Sequence, residues 1–200
     1  MTDNKKTLVL IGNDKKGREF IARHAKDYAI QVALENGSRS LKRIVKLLRR
    51  GSLAFPVLIK MISAEAGRTN YSIPPIKQVK TNADLLEIIK SDHIERIILY
   101  HVGMIIHKTV LQTGVVVLNI HCARLPDYAG LMAIHRAIRA GDLDQEATLH
   151  FVNEKVDSGD IIRTIPFRLD KSKSYKANED IAFQAGEQLL LTLLDTYYNN

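Results

Sequence analysis

Short aliphatic runs alternate with helical stretches from the amino terminus to Ile120. Each run is rich in Val, Ile and Leu, and the first ends in glycine, which is typical of buried parallel strands. Helical spacing over Lys16–Lys26 and Asn82–Lys90 separates these runs, and Asn82 is a candidate N-cap. The strands predicted from this pattern are Thr7–Gly12, Ile30–Leu34, Ile97–Tyr100 and Val115–Ile120.

The pattern changes towards the carboxyl terminus. Thr148–Asn153 and Ile161–Phe167 lie close together with Asp-Ser-Gly between them, which favours an antiparallel pair, and Ala177–Tyr198 reads as a long amphipathic helix. Pro74 and Pro75 interrupt the middle of the chain, but no linker tract or repeat accompanies them. We therefore predict an α/β protein, with a mostly parallel sheet and flanking helices, over residues 1–200 as a single domain.

Composition and charge narrow the class of protein. The 200 residues are 46% hydrophobic and 26% charged, as in a soluble globular protein. The most apolar stretch, Leu53–Ala64, is too short to span a bilayer, and the amino terminus lacks a cleavage pattern, so we expect a cytoplasmic protein. A single cysteine, Cys122, excludes an internal disulfide and a multi-cysteine zinc site. The net charge of +7 makes phosphates, carboxylates, nucleotides or RNA plausible partners.

Basic residues follow helical spacing between Arg39 and Arg50, opposite an apolar face. An amphipathic helix that packs on the sheet and exposes its basic face is the favoured interpretation. A site for an anionic substrate or phosphate, and binding to a membrane surface or RNA, remain open. No aromatic residues lie between the basic ones, so stacking on nucleic-acid bases has little support. The basic residues are Arg39, Lys42, Arg43, Lys46, Arg49 and Arg50.

The chemically informative segment is Val115–Gly130, where a buried strand ends in polar residues. Asn119 and His121 are two positions apart, so strand alternation places both side chains on one face. An amide and an imidazole suit a reaction that develops charge on a carbonyl oxygen. Asp157 precedes a glycine-containing turn, and a carboxylate near His121 would orient the ring. From the spacing alone, a capped strand end with a structural histidine is an equally good interpretation of these residues.

Two sequence motifs strengthen this interpretation. The residues N-I-H-C-A-R-L-P-D-Y-A-G begin at Asn119, and V-D-S-G-D-I follows, with Asp157 36 positions after His121. Together they resemble the signature of the folate-dependent formyltransferases, which include glycinamide ribonucleotide, methionyl-tRNA and sugar-amine formyltransferases. The resemblance is clearest over residues 97–162. It implies a Rossmann-like fold, a single catalytic domain over residues 1–200, no metal, and 10-formyltetrahydrofolate as the formyl donor.

The resemblance also implies roles for particular residues. Asn119 and His121 would stabilise the oxyanion that forms when an amine attacks the formyl carbon. Asp157 would hold His121 protonated and assist proton transfer through water. Two segments would form the walls of the pterin pocket, one of them Met104, Ile105 and Ile106, and the other Val152, Asn153, Glu154, Lys155 and Val156.

Departures from the family pattern bear on the amine acceptor. Ala123 and Arg124 stand where the family usually has Ser-Leu, and Arg124 would either bind an anionic group of the acceptor or form a surface salt bridge. After the first strand, I-G-N-D-K-K-G differs from the glycine-rich phosphate loop of the glycinamide ribonucleotide enzymes. We expect a phosphorylated or nucleotide-linked small-molecule amine, with a nucleotide-linked amino sugar preferred and glycinamide ribonucleotide the alternative. A homodimer is left open.

Other interpretations of the same residues are weaker. Cys122 as a nucleophile would need His121 as its base, but neighbouring strand residues point to opposite faces, so we expect a bystander. No histidine pair has metal-ligand spacing, and His135 and His150 are expected to be structural or surface residues. Tyr128 is expected to pack beneath the turn before Gly130. A folate-binding protein without transferase activity and a basic RNA-binding protein remain as rival function classes.

Overall fold

Seven strands form one mixed sheet in the computed structural model, which describes residues 5–28, 30–37 and 41–198. The sheet order is β3-β2-β1-β4-β5-β6-β7. The first five strands in this order are parallel to one another, and β6 runs antiparallel to both of its neighbours, β5 and β7. The predicted mostly parallel sheet with a carboxyl-terminal antiparallel pair is confirmed. The strands are β1 (Thr7–Gly12), β2 (Gln31–Glu35), β3 (Lys77–Val79), β4 (Arg96–Tyr100), β5 (Val116–His121), β6 (Asp144–Phe151) and β7 (Ile161–Arg168).

Helices cover both faces of this sheet. Those over Lys15–His24, Leu41–Arg49, Asn82–Ser91 and Tyr175–Tyr198 were predicted from their spacing, whereas those over Phe55–Ala66 and Ala133–Ala140 were not. None of the helices within the described residues is long and apolar enough to cross a membrane. The helices are α1 (Lys15–His24), α2 (Leu41–Arg49), α3 (Phe55–Ala66), α4 (Asn82–Ser91), α5 (Lys108–Leu111), α6 (Ala133–Ala140) and α7 (Tyr175–Tyr198).

The basic residues from Lys42 to Arg49 lie on one helix, α2, and the apolar residues that follow form a separate helix, α3. Gly51 has a φ of +69°, and Pro56 lies in the first turn of α3, so α2 ends before these residues and α3 begins anew. Lys42, Lys46 and Arg49 are exposed on α2, in agreement with a solvated basic face, whereas Arg39 lies outside the described residues.

The buried strands β1 and β4 hold two layers of core together. Alternate residues point to opposite faces, so Val9 and Ile11 pack in one cluster with Leu189 and Leu190 of α7. On the other face, Leu8 and Leu10 pack with a second cluster that includes α4. Because both faces of the sheet are covered, the continuous apolar runs of β1 and β4 are buried along their whole length.

The predicted cap of α4 is wrong by one residue. Thr81 is the N-cap, and its hydroxyl accepts from the Asp84 amide while the Asp84 carboxylate accepts from the Thr81 amide. Asn82 is the first helical residue. Its side chain donates to the Ile105 carbonyl at 3.0 Å and accepts from the His107 amide at 2.9 Å. Asn82 therefore fixes the loop that follows β4.

The last residue of β1 is Gly12, and the close approach of the His101 backbone leaves no room for a side chain there. A Cβ on Gly12 would lie 2.1 Å from the His101 carbonyl oxygen, whereas a Cβ on Gly67 would make only ordinary contacts from 3.5 Å. We expect Gly12→Ala to lower the free energy of unfolding by about 1–3 kcal/mol, because backbone must move to admit the methyl group. Urea denaturation measures this change, with Gly67→Ala as the matched control. A Gly12→Ala protein as stable as the wild type would contradict the close approach of β1 to His101.

Candidate active site

A cleft of about 540 Å³ opens at the carboxyl ends of the parallel strands. Its walls are the loop after β4, the end of β5, residues 130–134 and the loop 152–157, and the beginning of α7 closes one end. Ligands of open α/β sheets bind at this edge, where the helix connections change sides. The end of β5 carries the polar pair predicted from the sequence.

Asn119, His121 and Asp157 converge on one wall of this cleft. The Asn119 Nδ2 atom donates to Asp157 Oδ1 at 3.3 Å, and His121 Nδ1 lies 3.4 Å from Asp157 Oδ2. Asn119 and His121 share a face of β5, as their spacing predicts. The two separate stretches of sequence therefore meet at a single carboxylate, and all three side chains line the cleft.

Local backbone geometry places Asp157. The residue has a φ of +49°, in the left-handed region, and its Oδ2 atom accepts the Gly130 amide at 2.8 Å. Gly159 follows two residues later, and a Cβ there would lie 1.9 Å from the Phe151 carbonyl oxygen. The V-D-S-G sequence thus folds into a turn that packs tightly on the end of β6 and directs the carboxylate back to β5.

The His121 ring lies between two oxygen acceptors. Its Nε2 atom is 2.9 Å from the Tyr128 carbonyl oxygen, to which it can only donate, and Nδ1 faces the Asp157 carboxylate. A ring protonated on both nitrogens satisfies both contacts. Tyr128 itself is buried beneath the turn, as predicted, and its hydroxyl donates to Asp142 at 2.9 Å.

His150, which was expected to be a structural or surface residue, is buried in the same cluster. It lies opposite Asn119 in the β5–β6 pairing, and its Nε2 atom is 3.0 Å from Asn119 Nδ2. Its Nδ1 atom donates to the Phe151 carbonyl at 2.8 Å, so Nε2 is the acceptor of the Asn119 amide. Burial lowers the pKa of His150, which keeps the ring neutral and suited to this role.

The two segments that were predicted to form the pterin pocket, residues 104–106 and 152–156, both line one end of the cleft. All eight residues line it, and Met104 and Val152 also pack against the apolar core. Ile105 and Val156 expose about half of their surface, 56% and 49% respectively, which leaves apolar area uncovered at the opening. Lys108 forms an ion pair of 3.0 Å with Glu154, which joins the two walls. The eight are Met104, Ile105, Ile106, Val152, Asn153, Glu154, Lys155 and Val156.

The opposite end of the cleft carries polar residues that the sequence did not single out as site residues. We call it the β4–α7 end, formed by Asp14, His101, Cys122, Tyr175 and Glu179. The His101 Nδ1 atom lies 3.1 Å from Asp14 Oδ2. Burial disfavours the charged ring, but the charge and hydrogen bond of Asp14, with a contribution from Cys122, raise the pKa of His101 to about 10. Cys122 therefore has His101, not His121, as its histidine neighbour.

Arg124 lies outside the cleft in a surface network. Its guanidinium contacts the carboxylates of Asp127 and Asp142 and donates to the Asp144 carbonyl. The surface salt bridge expected as one alternative is thus the contact that Arg124 makes. No cluster of three or more metal-ligating side chains occurs among the described residues.

Comparison with known proteins identifies the family. The model of the formyl transferase family matches residues 60–193, and the chain belongs to this family of enzymes. A phosphoribosylglycinamide formyltransferase of Haemophilus influenzae is 56% identical over 46 residues, which cover 23% of this chain and 22% of the relative. A methionyl-tRNA formyltransferase of Fervidobacterium nodosum is 27% identical over 148 residues, covering 74% of this chain and 46% of the relative. The chain thus spans about half the length of these curated relatives, or less.

Solved structures share the fold. A phosphoribosylglycinamide formyltransferase from Streptococcus pneumoniae superposes with a TM-score of 0.65 at 18% identity, over 95% of this chain and 97% of that one. A sugar N-formyltransferase from a Shewanella species has a TM-score of 0.62 at 16% identity, over 96% and 70% of the two chains. The Rossmann-like α/β fold expected from the motifs is confirmed.

The His101–Asp14 pair predicts a pH dependence of stability. The pKa of His101 is raised from 6.5 to about 10 in the folded protein, so protonation stabilises the fold. This contribution is complete below pH 6.5 and is lost as the pH rises through about 10. We expect the free energy of unfolding to fall more between these two pH values in the wild type than in His101→Gln. Urea denaturation measures it, with the exposed His107→Gln as control, and parallel curves for wild type and His101→Gln would contradict the ion pair.

Proposed function

We propose that this cleft transfers a formyl group from 10-formyltetrahydrofolate to the primary amine of a small molecule. One observation carries the proposal: the Asp157 carboxylate lies within 3.4 Å of both Asn119 and His121 beside an apolar slot. The slot between Ile105 and Val156 suits the flat pterin ring, and the polar cluster suits a carbonyl that becomes charged. We further propose that residues 1–200 form a single catalytic domain, which acts in the cytoplasm.

The proposed reaction begins when the acceptor nitrogen attacks the formyl carbon. The carbonyl electrons move to oxygen, and the charge of a doubly protonated His121 stabilises the oxyanion. Both amide hydrogens of Asn119 are already directed to His150 and Asp157, and the contact with Asp157 is the longer, at 3.3 Å. We propose that this hydrogen turns to the oxyanion, while the neutral His150 retains the other.

Proton transfer completes the proposed reaction. The attacking nitrogen loses a proton through water to Asp157, and the folate nitrogen gains one as its bond to the formyl carbon breaks. The carbonyl re-forms, which yields the formamide and tetrahydrofolate. Asp157 is placed for this exchange because its two oxygens contact Asn119, His121 and Gly130 at the wall of the cleft.

We propose a nucleotide-linked amino sugar as the acceptor, in preference to glycinamide ribonucleotide. The start of α1 follows the first strand, where the glycinamide ribonucleotide enzymes are expected to bind phosphate. Here the Asp14 carboxylate accepts the Gly17 amide at 2.7 Å, and Glu65 accepts the Lys15 amide at 2.9 Å. Two carboxylates thus occupy amides that a phosphate would need, which weighs against the alternative acceptor.

Replacement of His121 tests the chemical step. We expect His121→Ala, and Asn119→Ala likewise, to lower kcat for formyl transfer by about 100-fold or more, since each removes a group that stabilises the oxyanion. Affinity for a stable analogue of the folate donor should change little. Transfer to an amine panel that includes nucleotide-linked amino sugars is followed by release of tetrahydrofolate, with the exposed His107→Ala as control. Transfer that survives in both variants would defeat the assigned roles.

Replacement of Val156 tests the pterin slot. We expect Val156→Asp to weaken binding of a stable folate analogue by about tenfold or more, because it places a charge against the apolar ring. Ile162→Asp is a matched control, since Ile162 lies on β7 outside the cleft and is 45% exposed, close to the 49% of Val156. Calorimetry measures both affinities. Equal weakening in the two variants would show that the ring does not contact the 152–157 loop.

A further inference from the structure

The helix α3 presents an apolar stripe to solvent. Phe55, Ile59 and Ile62 are separated by four and three residues, which places them on one side of the helix. Their side chains are 63%, 52% and 60% exposed, whereas Val57 and Ala64 on the opposite side are buried. Large apolar side chains that are exposed next to one another mark a surface that contacts a protein, a membrane or a ligand.

This stripe belongs to a helix that is fixed in the fold. The Ala54 amide donates to the Met132 Sδ atom at 3.5 Å where α3 begins. At the other end of the helix, the Lys15 Nζ atom donates to the Ala66 carbonyl at 3.0 Å. The helix also packs against α7. Rotation of α3 would break these contacts, so the apolar stripe is exposed before any partner binds.

The preceding helix, α2, presents a basic stripe with the same spacing. Lys42, Lys46 and Arg49 lie on one side of α2 and are exposed. Ile44 and Leu48 lie on the opposite side and are half-buried. The two consecutive helices therefore expose a cationic stripe and an apolar stripe, each on the side that faces away from the core.

No carboxylate offsets the charge of these two stripes. The chain has no acidic residue between Glu35 and Glu65. Glu35 is fully buried, and Glu65 accepts the Lys15 amide at 2.9 Å and lies 3.7 Å from the Arg68 guanidinium. An anionic surface that approaches α2 therefore meets cations and apolar side chains without a repelling carboxylate among them.

We propose that α2 and α3 dock on a bilayer that contains anionic phospholipids. The basic stripe binds the headgroups, and Phe55, Ile59 and Ile62 enter the boundary between headgroups and acyl chains, as the apolar residues of interfacial helices do. Each lysine or arginine near such a surface strengthens binding by about fivefold. This docking does not depend on the reaction that takes place in the cleft.

Two other occupants fit these stripes less well. In a two-fold dimer the same patch of both subunits meets, which would bring the basic stripes of the two copies together. An interface between proteins also takes about 20–30 residues a side, far more than three apolar side chains provide. RNA would use the basic stripe, but it would leave Ile59 and Ile62 without an apolar partner.

Sedimentation with vesicles tests the charge requirement. At low salt, we expect the chain to bind vesicles of phosphatidylglycerol and phosphatidylcholine about tenfold more tightly than phosphatidylcholine alone. Lys46→Gln should weaken this binding by about fivefold. Lys90→Gln, which removes an exposed lysine of α4, is the matched control and should have little effect. Equal loss in the two variants, or a chain that binds RNA but neither kind of vesicle, would overturn the proposal.

Replacement of Ile59 tests the apolar stripe. We expect Ile59→Asp to weaken binding to the anionic vesicles by about tenfold or more, because it places a charge at the acyl boundary. Ile162→Asp is the matched control, since Ile162 on β7 is 45% exposed, close to the 52% of Ile59. Urea denaturation of both variants checks that the fold is intact. Equal weakening by the two substitutions would mean that α3 does not enter the bilayer.

Tryptophan fluorescence locates the inserted side chain. The chain has no tryptophan, so Phe55→Trp introduces a single probe at an exposed aromatic position. On anionic vesicles its emission should shift to shorter wavelength and be quenched by lipids with brominated acyl chains. Phe151→Trp on β6, where the phenylalanine is 44% exposed, is the control and should show neither change. A bound Phe55→Trp protein without quenching would contradict insertion. Because no readout involves folate, failure of formyl transfer would leave the docking surface intact.

Discussion

The hydrogen bonds of a single carboxylate determine the shape of the candidate site. Asp157 accepts from the Gly130 amide and from Asn119, and it faces His121, so it joins three separate segments. Burial of a carboxylate is costly unless its oxygens are paired, and these contacts supply the pairing. Because Asp157 comes from the loop after β6, and its partners lie on β5 or in the segment that follows it, the same contacts hold the two walls of the cleft together. The position of the proposed pterin slot thus depends on the position of Asp157.

The two ends of the cleft differ in chemistry on either side of this cluster. One end is lined by Ile105 and Val156, which leave apolar surface exposed. The other contains His101 and Glu179, which are polar and buried. In the proposed reaction the folate donor occupies the apolar end, and its formyl group lies beside Asn119.

Local pattern was sufficient for part of this site and insufficient for the rest. Strand alternation placed Asn119 and His121 on one face, and the motifs located Asp157. His150 could not be found in this way, because it reaches Asn119 only through the register of the β5–β6 pair. Sequence adjacency suggested His121 as the histidine nearest Cys122, whereas the histidine that contacts Cys122 is His101, which follows a different strand, β4. The Thr81 cap was missed although its partner Asp84 is only three residues away, so the sequence held this signal. The short strand β3 was missed because its three residues are too few for a pattern and pair only through β2.

The net charge of the chain says little about which ligand the cleft binds. The chain carries +7, yet Arg68 and His101 at the β4–α7 end are both paired with carboxylates. Exposed lysines and arginines of α2 contribute to the total without entering that end. A potential that a ligand experiences depends on groups within a few ångströms in a partly dry cleft, since salt screens the distant ones. A basic composition is therefore compatible with a cleft whose lining includes carboxylates such as Asp14 and Glu179.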